Sequence, residues 1–130
     1  MLSRPIANSL DLMRAAAAGV PVRALRHLQA HMRLTNREMS EVMSMSESTL
    51  TRRENTQANL TRDEAEKAIQ LSAVVAHGLD VFGNEPDFHK WLQLENKALG
   101  GVRPQTLLSS ALGREQVREI LGRIEWGIYS

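Results

Sequence analysis

Cysteine is absent from the 130 residues. This excludes a disulfide framework, a thiolate metal site and a cysteine nucleophile, and it fits a reducing, cytoplasmic setting. Aromatics are scarce, with two Trp, one Tyr and two Phe, and runs of β-branched residues are missing, so nothing reads as a series of strands. No window approaches the roughly 20 apolar residues that a membrane span requires, and no membrane partner is expected. No export signal is read: Ala15 to Ala18 has the look of a cleavage site, but Asp11 and Arg14 interrupt the apolar core needed ahead of it. Catalytic patterns are lacking in the same way. His27 and His31 stand four apart, yet Leu28 occupies the place of a zinc-protease glutamate and no third ligand is near. They read as surface or interface side chains. The serines have no elbow motif with His and acid partners. Asp63, Glu64 and Glu66 fall in the first turn of a predicted helix, where the macrodipole accounts for them without acid–base work. No catalytic residue, metal ligand or cofactor is expected, and the chain reads as a non-enzyme.

What remains is helical. Hydrophobic residues make up 42% of the chain, enough for a core without staples, and the apolar period is that of helices throughout. Asn8 or Ser9 can cap a first helix through the alanines, stopped by Gly19. Pro21 opens a second with a Leu25, Leu28, Met32 stripe. Thr35 caps a short helix bearing Met39, Val42 and Met43, and Ser46 caps another with Leu50 inside. Thr61 and Glu64 form a capping box for a long helix through Ala68, Leu71, Val74 and Val75 that can continue past Gly78 to Phe82, with Gly83 as its end. Asn84 and Pro86 start a helix carrying Phe88, Trp91 and Leu92, aromatics that read as core at this spacing. Asn96 to Pro104 reads as a structured loop using the positive dihedrals that its glycines permit. Pro104 and Gly113 bracket a short helix, and a last one presents Val117, Leu121 and Ile124 before Gly127. The polar, aperiodic stretch within 56–62 is the expected boundary between parts.

Charge is uneven. Residues 1–53 hold eight basic and four acidic side chains, and residues 54–130 hold eight and eleven. A basic front suits phosphates, and an acidic back does not. Within that front, Met39 to Leu50 has the spacing of a helix-turn-helix and resembles the Xre/Cro group of DNA-binding domains. Ser44 stands at a turn position where that group often has Gly, a departure that costs Ser more in a left-handed backbone. With Leu50 facing inward, Glu47, Ser48, Thr51, Arg52 and Asn55 project outward as candidates for base edges. Arg52 suits guanine and Asn55 suits adenine. Thr35, Ser46, Thr49 and Arg53 fit phosphate contacts, although Arg53 lies toward the Leu50 side and can equally form a salt bridge with a neighbouring helix.

The back half carries Val81-Phe82-Gly83-Asn84-Glu85, then Trp91-Leu92, then Asn96-Lys97-Ala98-Leu99-Gly100-Gly101-Val102-Arg103-Pro104, then Gly122-Arg123-Ile124-Glu125-Trp126-Gly127-Ile128-Tyr129-Ser130. Over roughly residues 65–130 this order resembles the toxin-binding domain of the Xre/MbcA/ParS antitoxins. The resemblance implies an all-α protein, an Xre/Cro-like helix-turn-helix followed by a small helical toxin-binding domain. It implies a RES-domain toxin as partner, an NAD-consuming enzyme silenced by this chain. Operator DNA would be the second partner, repression of the shared operon a second role, and a homodimer the state that two-fold operators favour. The expected division is a segment at 1–33, either a dimerisation arm or packed on the helix-turn-helix, then 34–62 for DNA and 63–130 for the toxin. Toxin contact is expected from Arg123, Trp126, Gly127, Ile128, Tyr129 and Ser130, because aromatics and arginine dominate interface hot spots and a tail of this kind can plug a nucleotide cleft. Arg123 would pair with acidic toxin groups. Two further readings stay open: a stand-alone Xre/Cro-like regulator without a toxin, and a pure inhibitor whose helix-turn-helix has lost DNA affinity.

Overall fold

Side chains placed at the right offsets start most of these helices. In the computed structural model, which describes residues 19–127, the order is α1 (Ala24–Met32), α2 (Asn36–Met43), α3 (Glu47–Asn55), α4 (Arg62–Phe82), α5 (Glu85–Gln93), the 3-10 segments Lys97–Leu99 and Pro104–Ser109, and α6 (Ala111–Glu125). The helix expected from Asn8 or Ser9 lies outside the described residues. Thr35 and Glu38 exchange side-chain and backbone hydrogen bonds at the start of α2, and Thr61 and Glu64 do the same for α4. Ser46, Asn84 and Ser110 accept from the third backbone N–H of α3, α5 and α6. Each such cap is worth about 1 kcal/mol.

The long α4 is the spine. It packs against α1, α5 and α6, and Leu71 and Val74 on it are wholly buried. One apolar cluster runs from Val20 on the approach to α1, through Met39 and Leu50 of the helix-turn-helix, to Val117 and Leu121 of α6. The segment just before α1 is stitched to residues 58–60: Val22 N–H donates to the Ala58 carbonyl at 2.9 Å and Leu60 N–H to the Val20 carbonyl at 2.8 Å. Together with buried Leu25, Leu28 and Met32, this packs the described part of the N-terminal segment against the bundle.

Front and back are joined by polar contacts as well as apolar ones. The His89 ring nitrogen Nδ1 donates to the Met32 carbonyl at 2.8 Å. His31, at the end of α1, meets Glu85 at 3.0 Å, which makes it an interface histidine. On the opposite side, α2 packs on the 3-10 segment Pro104–Ser109, where buried Gln105 bonds to Gln93, and Gln93 in turn accepts from Arg103 at 2.7 Å.

The structure departs from the sequence reading at Gly113. This residue does not close a short helix; it lies in the first turn of α6, which begins at Ala111. A Cβ there would stand 1.9 Å from the Leu107 carbonyl oxygen. The glycine serves a close approach of helix to loop, and the element that Pro104 opens is a 3-10 segment ending at Ser109.

Candidate functional site

The turn between α2 and α3 is held from both sides. Met39, Val42, Met43 and Leu50 are buried, which fixes the crossing of the two helices. Ser44 takes the left-handed conformation at φ 54°, and the turn is closed by its N–H to the Glu41 carbonyl and by Met45 N–H to that of Ser40. Holding a non-glycine residue there costs on the order of 1 kcal/mol, which the buried methionines and Leu50 offset.

With Leu50 inside, the five side chains expected at base edges share one exposed face. Glu47, Ser48, Thr51, Arg52 and Asn55 line an open concavity along α3. Thr56, which the sequence reading did not single out, completes its lower end. The hydroxyls assigned to phosphates are partly engaged already. Thr35 is in its capping box, and Ser46 Oγ donates to Thr49 Oγ1 at 2.8 Å while accepting the Thr49 N–H at 3.1 Å. Their place at the starts of α2 and α3 leaves first-turn N–H groups and the positive helix ends facing outward, a setting that suits anions.

Arg53 has its donors committed. Its guanidinium donates to both carboxylate oxygens of Glu64, at 2.9 and 2.8 Å, and to the Asn59 carbonyl at 3.0 Å. Of the two roles left open by the sequence, the ion pair is the one realised, and it ties α3 to the start of α4. The hydrogen bond from Arg53 holds the Glu64 carboxyl below its ordinary 4.5. A depressed carboxyl stabilises the fold above its unfolded pKa, and that contribution is lost as pH falls through the folded value. Arg53→Ala is therefore expected to cost about 2 kcal/mol at pH 7, measured by urea unfolding, and the gap to the unaltered protein should narrow steadily below pH 4.

A further residue is the α1 side chain Arg26. Its Nε donates to Glu54 at 3.2 Å, Nη1 to Gln29 at 2.8 Å and to Asn36 at 3.3 Å, and Nη2 to Thr51 at 3.5 Å. One guanidinium thus braces α1, α2 and α3 behind the exposed face of α3. No local pattern signals it, because two of these partners lie 25 and 28 residues away.

The far end of the molecule is built differently. Phe88 is wholly buried, and Phe82 and Trp91 meet at its margin, tilted by 37° with ring centroids 5.5 Å apart, so these aromatics are core and core edge. Arg123, in the last turn of α6, donates to Glu119 at 2.7 Å. Trp126, directly after that helix, is 79% exposed, and Gly127 follows at φ 70°. Ile128, Tyr129 and Ser130 lie outside the described residues. Leu112 at the other end of α6 is also exposed, and an isolated apolar residue gives no sequence signal of that.

A helix-turn-helix with an open polar face along its second helix, continued into a helical body that ends in an exposed tryptophan, defines a helix-turn-helix protein with a second, C-terminal module. Residues 11–72 match the antitoxin Xre-like helix-turn-helix domain, and residues 77–127 match the antitoxin Xre/MbcA/ParS C-terminal toxin-binding domain. The chain belongs to this Xre antitoxin family, and its partner is a toxin. It is similar to an Antitoxin Xre of Photorhabdus laumondii, 26% identical over 113 residues that span 86% of this chain and 76% of the relative. It is similar also to an Antitoxin Xre of Yersinia enterocolitica, 24% identical over 127 residues that span 97% of this chain and 86% of the relative. Among the described residues, no helix is long and apolar enough to cross a membrane.

Proposed function

We propose that this antitoxin neutralises a RES-domain, NAD-degrading toxin through the end of α6 and the tail beyond it, and that it represses the shared operon through α3. The observation that carries the toxin reading is Trp126. A tryptophan left 79% exposed at the end of a toxin-binding domain is a large apolar surface with no internal use, and such surfaces mark interfaces. An aromatic element of this kind suits a cleft shaped for a nucleotide base, which is the chemistry of an NAD-consuming enzyme. Arg123, Gly127, Ile128, Tyr129 and Ser130 complete the element. The chain acts as an inhibitor, and its C-terminal module separates it from a regulator that works alone.

The test is co-expression with the product of the neighbouring reading frame, followed by NAD measurement. The full chain should preserve NAD. A chain lacking residues 126–130 should bind the toxin at least about thirtyfold less tightly, the scale of losing a hot-spot residue. Equal protection by both chains sinks the reading.

For operator DNA the free cations matter. In the helix-turn-helix, Arg26 is paired with Glu54, Arg37 with Glu41, Arg33 with Glu85 and Arg53 with Glu64, whereas Arg52 lies exposed on the open face. Arg52 is the proposed guanine reader and Asn55 the adenine reader, with Glu47, Ser48 and Thr51 beside them. Arg52→Ala should weaken specific operator binding by about 1–3 kcal/mol and leave binding to unrelated DNA almost unchanged. Gel shifts on both DNAs distinguish this from a phosphate contact, which would weaken the two alike. A homodimer on a two-fold operator is the assembly proposed.

A further inference from the structure

The last turn of α6, directly before Trp126, is tied to α4 by a histidine side chain. His77 Nε2 donates to Glu125 Oε1 at 3.2 Å, across 48 residues of sequence. Its ring lies over Gly122, where an added Cβ would stand 3.8 Å from Cε1. The other ring nitrogen, Nδ1, is buried and has no hydrogen-bond partner. Leaving a buried polar nitrogen bare is unfavourable, and an apolar side chain would fill the same space between α4 and α6 without it. What the apolar side chain could not do is hold Glu125. That carboxylate sits in the last turn of α6, where the negative end of the helix dipole opposes it, and a donor from α4 offsets that opposition. The His77 side chain is only 18% exposed, and its hydrogen bond ties the last turn of α6 to α4.

We infer that His77 is a positioning residue for toxin capture: it latches the last turn of α6 to α4 and thereby aims Trp126 and the tail at the toxin. The inference rests on the proposed role of the tail. Its test uses the full chain with His77→Ala, His77→Gln and Glu125→Ala. Two readouts are taken: hydrogen exchange at the Trp126 and Gly127 amides, which donate to the Gly122 and Ile124 carbonyls at 3.1 Å, and inhibition of the purified toxin encoded beside this gene.

His77→Ala should speed exchange at both amides about tenfold and weaken inhibition about tenfold, while exchange in the middle of α4 stays as it was. The Gln side chain can donate to Glu125 as the ring does, so His77→Gln should bring both readouts back to within about threefold of the native chain. Glu125→Ala should match His77→Ala, with no further loss in the double variant. Unchanged exchange in His77→Ala overturns the latch. So does faster exchange with full inhibition, in a system where removing residues 126–130 abolishes inhibition. If that removal leaves inhibition intact, the tail reading falls first, and the role given to His77 falls with it.

Discussion

Phe88→Ala should lower the free energy of unfolding by about 4 kcal/mol, the largest effect of any single truncation in this core. Phe88 is the bulkiest of the fully buried side chains, and its ring lies directly against the backbone of α4 at Gly78. A Cβ at that position would stand 2.2 Å from Phe88 Cε1 and 2.5 Å from Cδ1 and Cζ. The glycine is therefore what lets α5 come close enough for the ring to be buried. Inside a helix, Gly→Ala ordinarily gains about 1 kcal/mol of propensity, but here overpacking of about 2–3 kcal/mol should dominate and Gly78→Ala should destabilise. The two changes are coupled. Once Phe88 is alanine the space beside Gly78 is empty, so Gly78→Ala in that background should be neutral or stabilising. Urea unfolding of the four proteins in a double-mutant cycle should give a coupling above about 1 kcal/mol. Additive losses would mean that the ring does not rest on Gly78.

The parts of this molecule that can be read from sequence are those whose partners lie a few residues apart. Thr35 with Glu38 and Thr61 with Glu64 are three apart, so both capping boxes and the helices they start follow from local pattern. The α3 face is legible for the same reason: once Leu50 is placed inside, the periodicity of a helix puts Glu47, Ser48, Thr51, Arg52 and Asn55 outside. The fate of Arg53 turns on Glu64, eleven residues on and past a turn with Gln57 at φ 56°, and no helical period spans such a turn. Arg26 and His77 are harder still, since their partners Glu54 and Glu125 come together only when whole helices pack. The surroundings of Trp126 were legible only as an excess, an aromatic beyond the last amphipathic turn. Its link to α4 was not.

Gly113 failed as punctuation because a glycine can serve two unrelated purposes, backbone freedom or close approach. Either purpose makes alanine unfavourable, whereas a glycine in ordinary helical backbone with room beside it gains from alanine, and α6 offers one close-approach glycine and one of this last kind. At Gly113 an added Cβ would lie 1.9 Å from the Leu107 carbonyl oxygen, 2.8 Å from its carbon and 2.8 Å from Ser110 Oγ. Part of that obstacle is main chain, in a loop pinned on both sides: Leu108 is fully buried, and its carbonyl accepts from Arg114 at 3.0 Å. The loop cannot yield without dragging Leu108 out of the core and breaking the Ser110 cap. Gly113→Ala is expected to cost about 3 kcal/mol. At Gly122, nine residues along the same helix, the new methyl would meet only His77 Cε1, at 3.8 Å. This is ordinary contact in a helical backbone, so Gly122→Ala should stabilise by about 0.5–1 kcal/mol through propensity and the loss of unfolded-state freedom. Thermal unfolding of both variants at one pH should move the midpoints in opposite directions. If both rise, the approach of α6 to Leu107 is looser than these distances require, and the glycine at 113 is dispensable.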